Sequence, residues 1–324
     1  MLYVATLLCD PQNPVITREV AREAASFLPG SRIALPEPSS DTPFTALDVT
    51  GDWPDLDDPN LASQGPQPLL TGLSDAIRRM IAPAPLDVVI QPQAHRRKRL
   101  LLADMDSTMI GQECIDELAE HAGLKAEVAA ITERAMAGEI AFEPALRERV
   151  ALLAGLPVGI IEEIIAQRIS LTPGGKALVQ TMGAKGAYTC LVSGGFTLFT
   201  GPISGLIGFD EHRANRLVVE NDRLAGRVEE PILGREAKVA TLAELRERLG
   251  LRREETLAVG DGANDLGMLA EAGLGVAFRA KPAVAAAAHA RIDHGDLTAL
   301  LSTQGYGPAD SNTESWGNNE KGGP

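Results

Sequence analysis

The sequence predicts an α/β protein built on a parallel sheet with helices on both faces. From Arg99 onward, short apolar runs alternate with helical patterns, which is typical of parallel strands joined by helices. Three of the runs are followed by acidic residues or by serine and glycine, and ligands bind such sheets at the carboxyl ends of strands. These runs are Leu100–Leu102, Ala187–Val192 and Leu257–Gly260. We therefore expect a Rossmann-like core over residues 91–303.

Residues 1–90 predict a small, separate α+β domain that carries no chemical motif. Strands are expected at Leu2–Leu8, Phe44–Val49 and Leu86–Ile90, and helices at Arg18–Leu28 and Leu69–Ile81. The stretch Gly51–Pro68 is rich in Pro, Asp and Gly and predicts a long loop. Prolines and the basic run Arg96–Arg99 mark the junction with the core. We expect this basic run to be a solvated entry to the first core strand.

A helical segment at about residues 111–175 interrupts the core after its first strand, and we interpret it as a cap. One helix is expected to begin at Pro157, and Pro173–Gly175 ends the segment. The pattern leaves open whether Phe142 is a lid residue or part of the cap's own core. Residues 205–232 predict a hairpin that turns near Asn221–Gly226. The tail, residues 304–324, has few apolar residues and is expected to be disordered.

Composition narrows the possible partners. The 324 residues carry a net charge of −14, which argues against nucleic acid or an anionic membrane as the main partner. The three cysteines (Cys9, Cys114 and Cys190) lie far apart, so neither a disulfide framework nor a zinc site is expected. The apolar stretch Leu2–Cys9 has no basic residues before it and predicts a strand, not a signal peptide. We therefore expect a cytoplasmic protein.

The most informative feature follows the first core strand, where Asp104 and Asp106 stand one residue apart. Alternate residues of a strand point to the same side, so both carboxylates can face one spot. Two close carboxylates repel unless a cation joins them or one takes a proton, and Mg²⁺ suits such oxygen ligands. The alternative is an ordinary turn, because Asp and Ser are common turn residues.

Two further segments and one lysine favour the reactive site over the turn. Ser193 and two glycines follow the second run, where backbone N–H groups can approach an anion closely. The third run leads into a stretch that contains Asp261 and Asp265. Lys238 lies between these segments, at the start of a helical pattern.

With these motifs, the chain resembles the haloacid-dehalogenase-like phosphohydrolases. The matching parts occur in the family's order and are Asp104-Met105-Asp106-Ser107-Thr108, Ser193, Lys238 and Gly260-Asp261-Gly262-Ala263-Asn264-Asp265. The resemblance implies a Mg²⁺-dependent phosphatase with Asp104 as nucleophile and Asp106 as acid and base. It also implies metal ligation by Asp104, by Asp261 and by the backbone carbonyl of Asp106, with support from Asp265. Phosphate oxygens would be held by Ser193, Gly194, Asn264 and Lys238.

The resemblance narrows to the phosphoserine phosphatases of the bacterial two-domain type and covers about residues 98–302. Stretches of the insert similar to that family imply that Glu113 and Arg149 hold the amino and carboxylate groups of the substrate. The same resemblance implies that residues 1–90 are a degenerate ACT-like domain, related to domains that bind amino acids for regulation. The expected partner is phosphoserine, and a homodimer is possible.

Three functions remain open on the sequence alone. The first is hydrolysis of O-phosphoserine. The second is hydrolysis of another small phosphate ester, or transfer of its phosphoryl group to an alcohol. The third is a signalling module that stores phosphate on an aspartate, as receiver domains do. A positioned acid and base at Asp106 would make the phosphoenzyme short-lived, and the cap suits an enclosed small substrate, so both features favour an enzyme.

Overall fold

The computed structural model describes residues 2–28, 30–34, 44–52, 67–307 and 310. Most of the expected loop at Gly51–Pro68, and most of the expected disordered tail, lie outside the described residues. Among the helices of the described part of the chain, none combines the length and apolar character needed to cross a membrane.

The N-terminal unit is an antiparallel sheet packed against two helices. Its elements in chain order are β1 (Leu2–Leu8), α1 (Arg18–Ser26), β2 (Arg32–Ile33), β3 (Ala46–Asp52), α2 (Gln67–Ile81) and β4 (Asp87–Pro92). The sheet order β2-β3-β1-β4 and the βαββαβ chain order are those of ferredoxin-like domains. Tyr3, Leu7, Ala24 and Ile77 belong to a core that this unit forms by itself. All the predicted elements are present, and β2 is added to them.

The rest of the chain contains the parallel sheet, the inserted helices and a separate hairpin. Its elements are β5 (Leu100–Ala103), α3 (Cys114–His121), α4 (Lys125–Met136), α5 (Phe142–Leu152), α6 (Ile160–Gln167), α7 (Gly175–Ala184), β6 (Tyr188–Phe196), α8 (Thr197–Ile207), β7 (Glu211–Asn215), β8 (Leu217–Glu220), β9 (Arg223–Val228), α9 (Arg235–Arg248), β10 (Thr256–Gly260), α10 (Leu266–Glu271), β11 (Leu274–Phe278), α11 (Pro282–Ala287), β12 (Ala290–Ile292) and α12 (Ala299–Thr303).

The central sheet confirms the predicted α/β class. Its strand order is β12-β11-β10-β5-β6-β7, and every neighbouring pair is parallel. Strand β5 lies inside the sheet and is fully buried. Leu101 packs in the same cluster as Met182 of α7, whereas Leu100 and Leu102 pack in the cluster of Leu242 of α9. Alternate residues of β5 therefore serve opposite faces, which is why its sequence is apolar throughout.

The cap consists of α3–α6, inserted between β5 and β6, and the β8–β9 hairpin packs beside it. The hairpin turns at Asn221 and Asp222, both with positive φ, as the predicted turn requires. Gly155 N donates to Leu224 O at 2.8 Å, and Leu224 N donates to Leu156 O at 2.9 Å. We expected a helix from Pro157, but α6 begins at Ile160, because residues 155–158 bond to the hairpin.

The fold continues past the expected start of the tail. The Gln304 side chain is buried, and its Nε2 donates to Leu300 O at 2.8 Å. Tyr306 is 5% exposed and belongs to the main hydrophobic cluster. Its ring lies 4.5 Å under the Arg97 guanidinium. The prediction that the disordered tail begins at residue 304 is therefore wrong at its first residues, because Gln304 and Tyr306 are buried.

The basic run Arg96–Arg99 is not the solvated entry that we expected, because two of its side chains are buried. The Arg96 guanidinium is bidentate to Asp48 of β3, with two distances of 2.7 Å, and it also donates to Thr303 O at 2.6 Å. Lys98 Nζ donates to Glu254 O at 2.8 Å, and burial lowers the pKa of Lys98 to about 8. Arg96 thus joins the N-terminal unit to the end of α12.

We predict that Arg96→Ala lowers the free energy of unfolding by about 1.5–3 kcal/mol, the usual cost of losing a hydrogen bond to a charged group. The matched control is Arg99→Ala, whose side chain is 61% exposed and pairs with Glu255 at 3.3 Å. A surface ion pair of this kind contributes about 0–1 kcal/mol. Urea unfolding followed by circular dichroism measures both variants. Equal losses would show that Arg96 contributes no more than a surface charge.

Candidate active site

The carboxyl ends of β5, β6 and β10 meet at one edge of the central sheet. Ala103 at the end of β5 pairs with Val259 of β10 on one side and with Leu191 of β6 on the other. Asp104 N then donates to Val259 O at 3.0 Å, which holds the first acid at the sheet's edge. The residues that follow these strands are therefore brought together, as the predicted parallel sheet requires.

The motif that begins at Asp104 leaves the strand at once and forms an irregular turn over Met105–Met109. Within it, Asp106 is extended and Ser107 adopts a left-handed φ of 55°. We expected strand alternation to bring Asp104 and Asp106 to one spot. Both carboxylates do line the same cavity, but β5 ends at Ala103, so the turn and not the strand pleat brings them there.

Lys238 is fully enclosed and bonds to two acids. Its Nζ donates to Asp104 Oδ1 at 2.6 Å and to Asp265 Oδ1 at 2.7 Å. The lysine is 1% exposed and Asp265 is 0% exposed. Burial alone would lower the pKa of Lys238, but the two carboxylates outweigh it and raise that pKa above its ordinary value. The lysine is therefore a permanent positive charge beside Asp104.

Asp106 is held by groups from the cap and from β6. Its Oδ1 accepts from Cys114 N at 3.0 Å, and its Oδ2 accepts from Ser193 Oγ at 3.2 Å. Ser193 Oγ accepts in turn from Gly195 N at 2.8 Å. Burial raises the pKa of Asp106, and these hydrogen bonds oppose the rise only in part. The side chain is thus fixed in place and more ready to carry a proton than a solvated aspartate.

Three carboxylates lie close enough to hold one cation. Asp104, Asp261 and Asp265 each offer an oxygen, and these oxygens lie within 4.8 Å of one another. Thr108 Oγ1 donates to Asp261 Oδ1 at 3.0 Å, and Gly262 N donates to Asp265 Oδ2 at 3.0 Å. Both oxygens of Asp265 are thus engaged, one by Lys238 and one by Gly262. Hard divalent cations bind carboxylate oxygens in this way, so the donor set fits such an ion.

A cavity of about 240 Å³ opens between the core and the cap. Asp104, Asp106 and Asp261 line its core side, and Glu113 and Arg149 line it from the cap. The roles that the resemblance gave these residues stay predictions. Although Glu113 as a whole is exposed, desolvation of its carboxyl group at the cavity wall and the nearby charge of Asp106 raise its pKa to about 7. Burial lowers the pKa of Arg149, although Asp116 and Glu113 oppose the change. The carboxyl group of Glu113 and the guanidinium group of Arg149 thus face one small cavity.

Ser193, Gly194 and Asn264 also line the cavity, and their contacts with phosphate oxygens stay a prediction. Phe142 of α5 lines it from the cap and is 40% exposed. A Cβ atom at Gly194 would lie 3.4 Å from the Phe142 ring, so the ring covers the backbone at this point. The sequence left two roles open for Phe142, and the structure favours the lid over cap core.

The sequence motifs did not identify one lysine that lines the cavity. Lys281 lines the cavity beside Ala263 and Asn264, and its side chain is exposed. Among the described residues, no carboxylate lies within ion-pair distance of its ammonium group. The signal that could have found it is position, because Lys281 follows the carboxyl end of β11 by three residues.

The chain is similar to known phosphatases over its core and, for one structure, over nearly its whole length. It is 44% identical over 228 residues to a phosphoserine phosphatase of Archaeoglobus fulgidus, covering 70% of this chain and 66% of that relative, just under two thirds of its length. It superposes on a structure of a probable phosphoserine phosphatase from Vibrio cholerae with a TM-score of 0.71 and 28% identity, covering 94% and 86% of the two chains. A solved structure of a phospho-aspartyl intermediate analogue of phosphoserine phosphatase matches with a TM-score of 0.59 and 41% identity, covering 64% of this chain and 98% of that one.

A family model for haloacid dehalogenase-like hydrolases matches residues 101–270. This range contains the sequence motifs from Asp104 to Asp265. The match spans more than half of the chain and includes the strands that carry the acids. The chain belongs to the haloacid dehalogenase-like hydrolase family.

Proposed function

We propose that this protein hydrolyses O-phospho-L-serine to L-serine and phosphate through an aspartyl-phosphate on Asp104. One observation carries the proposal: Glu113 and Arg149 face the same cavity as the acid pair Asp104 and Asp106. A phosphate ester bound at the acid pair would present its amino and carboxylate groups to side chains of opposite charge. Similarity to proteins named phosphoserine phosphatase supports the same substrate.

Asp104 is the proposed nucleophile. Its carboxylate oxygen would attack phosphorus, and the bond between phosphorus and the serine oxygen would break. Lys238 at 2.6 Å lies where its charge can reduce the repulsion between this carboxylate and the phosphate dianion. The similar phosphoserine phosphatase solved as a phospho-aspartyl intermediate analogue is consistent with such a step on an aspartate.

Asp106 is the proposed acid and base. It would give its proton to the departing serine oxygen, then take a proton from the water that attacks the phosphoenzyme. That water releases phosphate and restores the Asp104 carboxylate. The raised pKa of Asp106 suits the first step, and its bonds to Cys114 N and Ser193 keep the carboxyl oriented through both.

Mg²⁺ is the proposed cofactor. Asp104 and Asp261, with the backbone carbonyl of Asp106, would hold it, while Asp265 supports the site because both its oxygens are already engaged. When bound, the cation would neutralise the repulsion between the nucleophile and the phosphate. Ser193, Gly194 and Asn264 line the place where phosphate oxygens would lie. Lys281 adds a positive charge to a cavity with four acidic side chains in its lining.

Recognition of the amino acid is assigned to the cap. Glu113 would accept from the substrate ammonium group, and the planar guanidinium of Arg149 would bind the carboxylate through two hydrogen bonds. Phe142, next to Gly194, would cover the phosphate from solvent. We also infer that the N-terminal unit is a degenerate ACT-like domain, since its βαββαβ topology is the ferredoxin-like one.

We expect Asp104→Asn to abolish turnover while the fold persists, because the change keeps the shape but removes the nucleophile. Phosphate release from phosphoserine in the presence of Mg²⁺ measures the effect. Asp222→Asn, at the exposed hairpin tip, is the matched control and should keep full activity. Turnover by Asp104→Asn within about tenfold of the parent, a barrier change of only about 1.4 kcal/mol, would rule out Asp104 as the nucleophile.

Asp106→Asn should slow release of phosphate by about 10²–10⁴-fold, the usual contribution of general acid–base catalysis. Phosphorylated Asp104 should then accumulate above the parent's level. Mass spectrometry after acid quenching of the reaction measures the phosphoenzyme. Dephosphorylation as fast as in the parent would assign Asp106 a structural role instead.

Arg149→Ala should lower kcat/KM for phosphoserine by about 10–150-fold, the loss of a hydrogen bond to a charged group of about 1.5–3 kcal/mol. An aryl phosphate has no carboxylate and should be nearly unaffected. Arg147→Ala is the matched control, because Arg147 lies on the same helix but pairs with Glu143 and Glu230 at the surface. Equal losses on both substrates would mean that Arg149 binds phosphate or supports the cap.

A further inference from the structure

We propose that Ser107 is a positioning residue for substrate recognition: its hydroxyl holds the Glu113 carboxylate where that carboxylate meets the substrate's ammonium group. This inference rests on the proposed function and deepens it. Neither the sequence motifs nor the roles assigned above give Ser107 a task, although it lies inside the acid motif.

The contact itself is short and direct. Ser107 Oγ donates to Glu113 Oε1 at 2.7 Å, and Glu113 lines the cavity. Ser107 N also donates to Gln112 O at 3.2 Å, so the backbone closes a loop between the two partners. Gln112 is bonded in turn to Ser170, whose N donates to Gln112 Oε1 at 2.9 Å. The loop that carries Glu113 is therefore tied to the motif at one end and to the end of the cap at the other.

Glu113 needs such a partner. Desolvation at the cavity wall and the neighbouring charge of Asp106 both disfavour its ionised form, and the bond from Ser107 acts in the opposite direction. An ionised carboxylate is the form that binds an ammonium group. Ser107 therefore favours the ionised state and also fixes the direction in which the carboxylate points.

The backbone at Ser107 is strained for a residue other than glycine. Its φ of 55° lies in the left-handed region, which glycine adopts readily and serine adopts rarely. The turn sends three consecutive side chains to three places: Asp106 to Ser193, Ser107 to Glu113, and Thr108 to Asp261. One strained residue thereby connects the proton-transfer group, the recognition group and the carboxylate cluster.

The substitution Ser107→Gly removes the hydroxyl without straining the backbone, because glycine adopts this φ readily. Its effect therefore reports on the side chain alone. The test compares phosphoserine with 3-phosphooxypropanoate, the same ester without its amino group, at saturating Mg²⁺. We expect kcat/KM for phosphoserine to fall by about tenfold or more, mainly through KM, since a hydrogen bond to a charged group is lost. The fall for the ester without the amino group should be at least several-fold smaller.

Two further variants sharpen the comparison. Ser107→Asn should recover part of the loss, because asparagine tolerates a left-handed φ and its amide can donate to Glu113. Combining Ser107→Gly with Glu113→Gln should add little to the effect of Glu113→Gln alone, because glutamine has no negative charge for Ser107 to position against the ammonium group.

The outcomes separate this inference from the proposed function. A parent enzyme that hydrolyses the two esters equally well would overturn this inference and the proposed function together, because no residue would then recognise the amino group. With a parent that prefers phosphoserine, equal losses on the two esters would mean that Ser107 only supports the turn. No loss with Ser107→Gly, or fully additive effects with Glu113→Gln, would also overturn the positioning role.

Discussion

The buried ion cluster of Lys238 with Asp104 and Asp265 is the interaction on which the rest of the site depends. Parallel strands bring acids that follow β5 and β10 to one edge, where the buried carboxylates of Asp104 and Asp265 would repel each other. A lysine that is 1% exposed, within 2.7 Å of both partners, offsets that repulsion. A Cβ atom at Gly260 would overlap the Asp265 carboxyl, so glycine is needed where the chain brings this acid against the strand end. The proposed nucleophile, the proposed metal ligands and the strand ends are thus held by one arrangement of charges.

In the proposed mechanism, phosphoryl transfer and the choice of substrate are assigned to different parts of the chain. The central sheet supplies the residues assigned to phosphoryl transfer, and the inserted helices supply Glu113, Arg149 and Phe142. The β8–β9 hairpin supports the cap through backbone hydrogen bonds to residues 155–158. A cap built this way can change its side chains without disturbing the ion cluster below it.

Sequence patterns predicted the sheet, the inserted helices and the hairpin, because strand ends and motif spacing are local properties of the chain. The residues that they named for the site lie around one cavity, and the roles given to those residues stay predictions. The patterns failed where a role depends on contacts between distant segments. Arg96 reads as a surface charge, yet it is buried against Asp48 and the end of α12. No local pattern indicates that Pro157 joins a hairpin instead of starting a helix. Lys281 follows a strand with no acidic motif, so only the folded sheet places it in the cavity.

If Lys238 balances the charge of the acids beside it, a double-mutant cycle between Lys238→Met and Asp265→Asn will show coupling between the two side chains. Unfolding free energies of the parent, the two single variants and the double variant would be measured by urea denaturation without added divalent cation. We expect Lys238→Met to be strongly destabilising alone and Asp265→Asn to restore part of the loss, with a coupling of about 0.5–3 kcal/mol. Additive effects of the two substitutions would contradict it, because the lysine would then stabilise the fold without balancing that carboxylate.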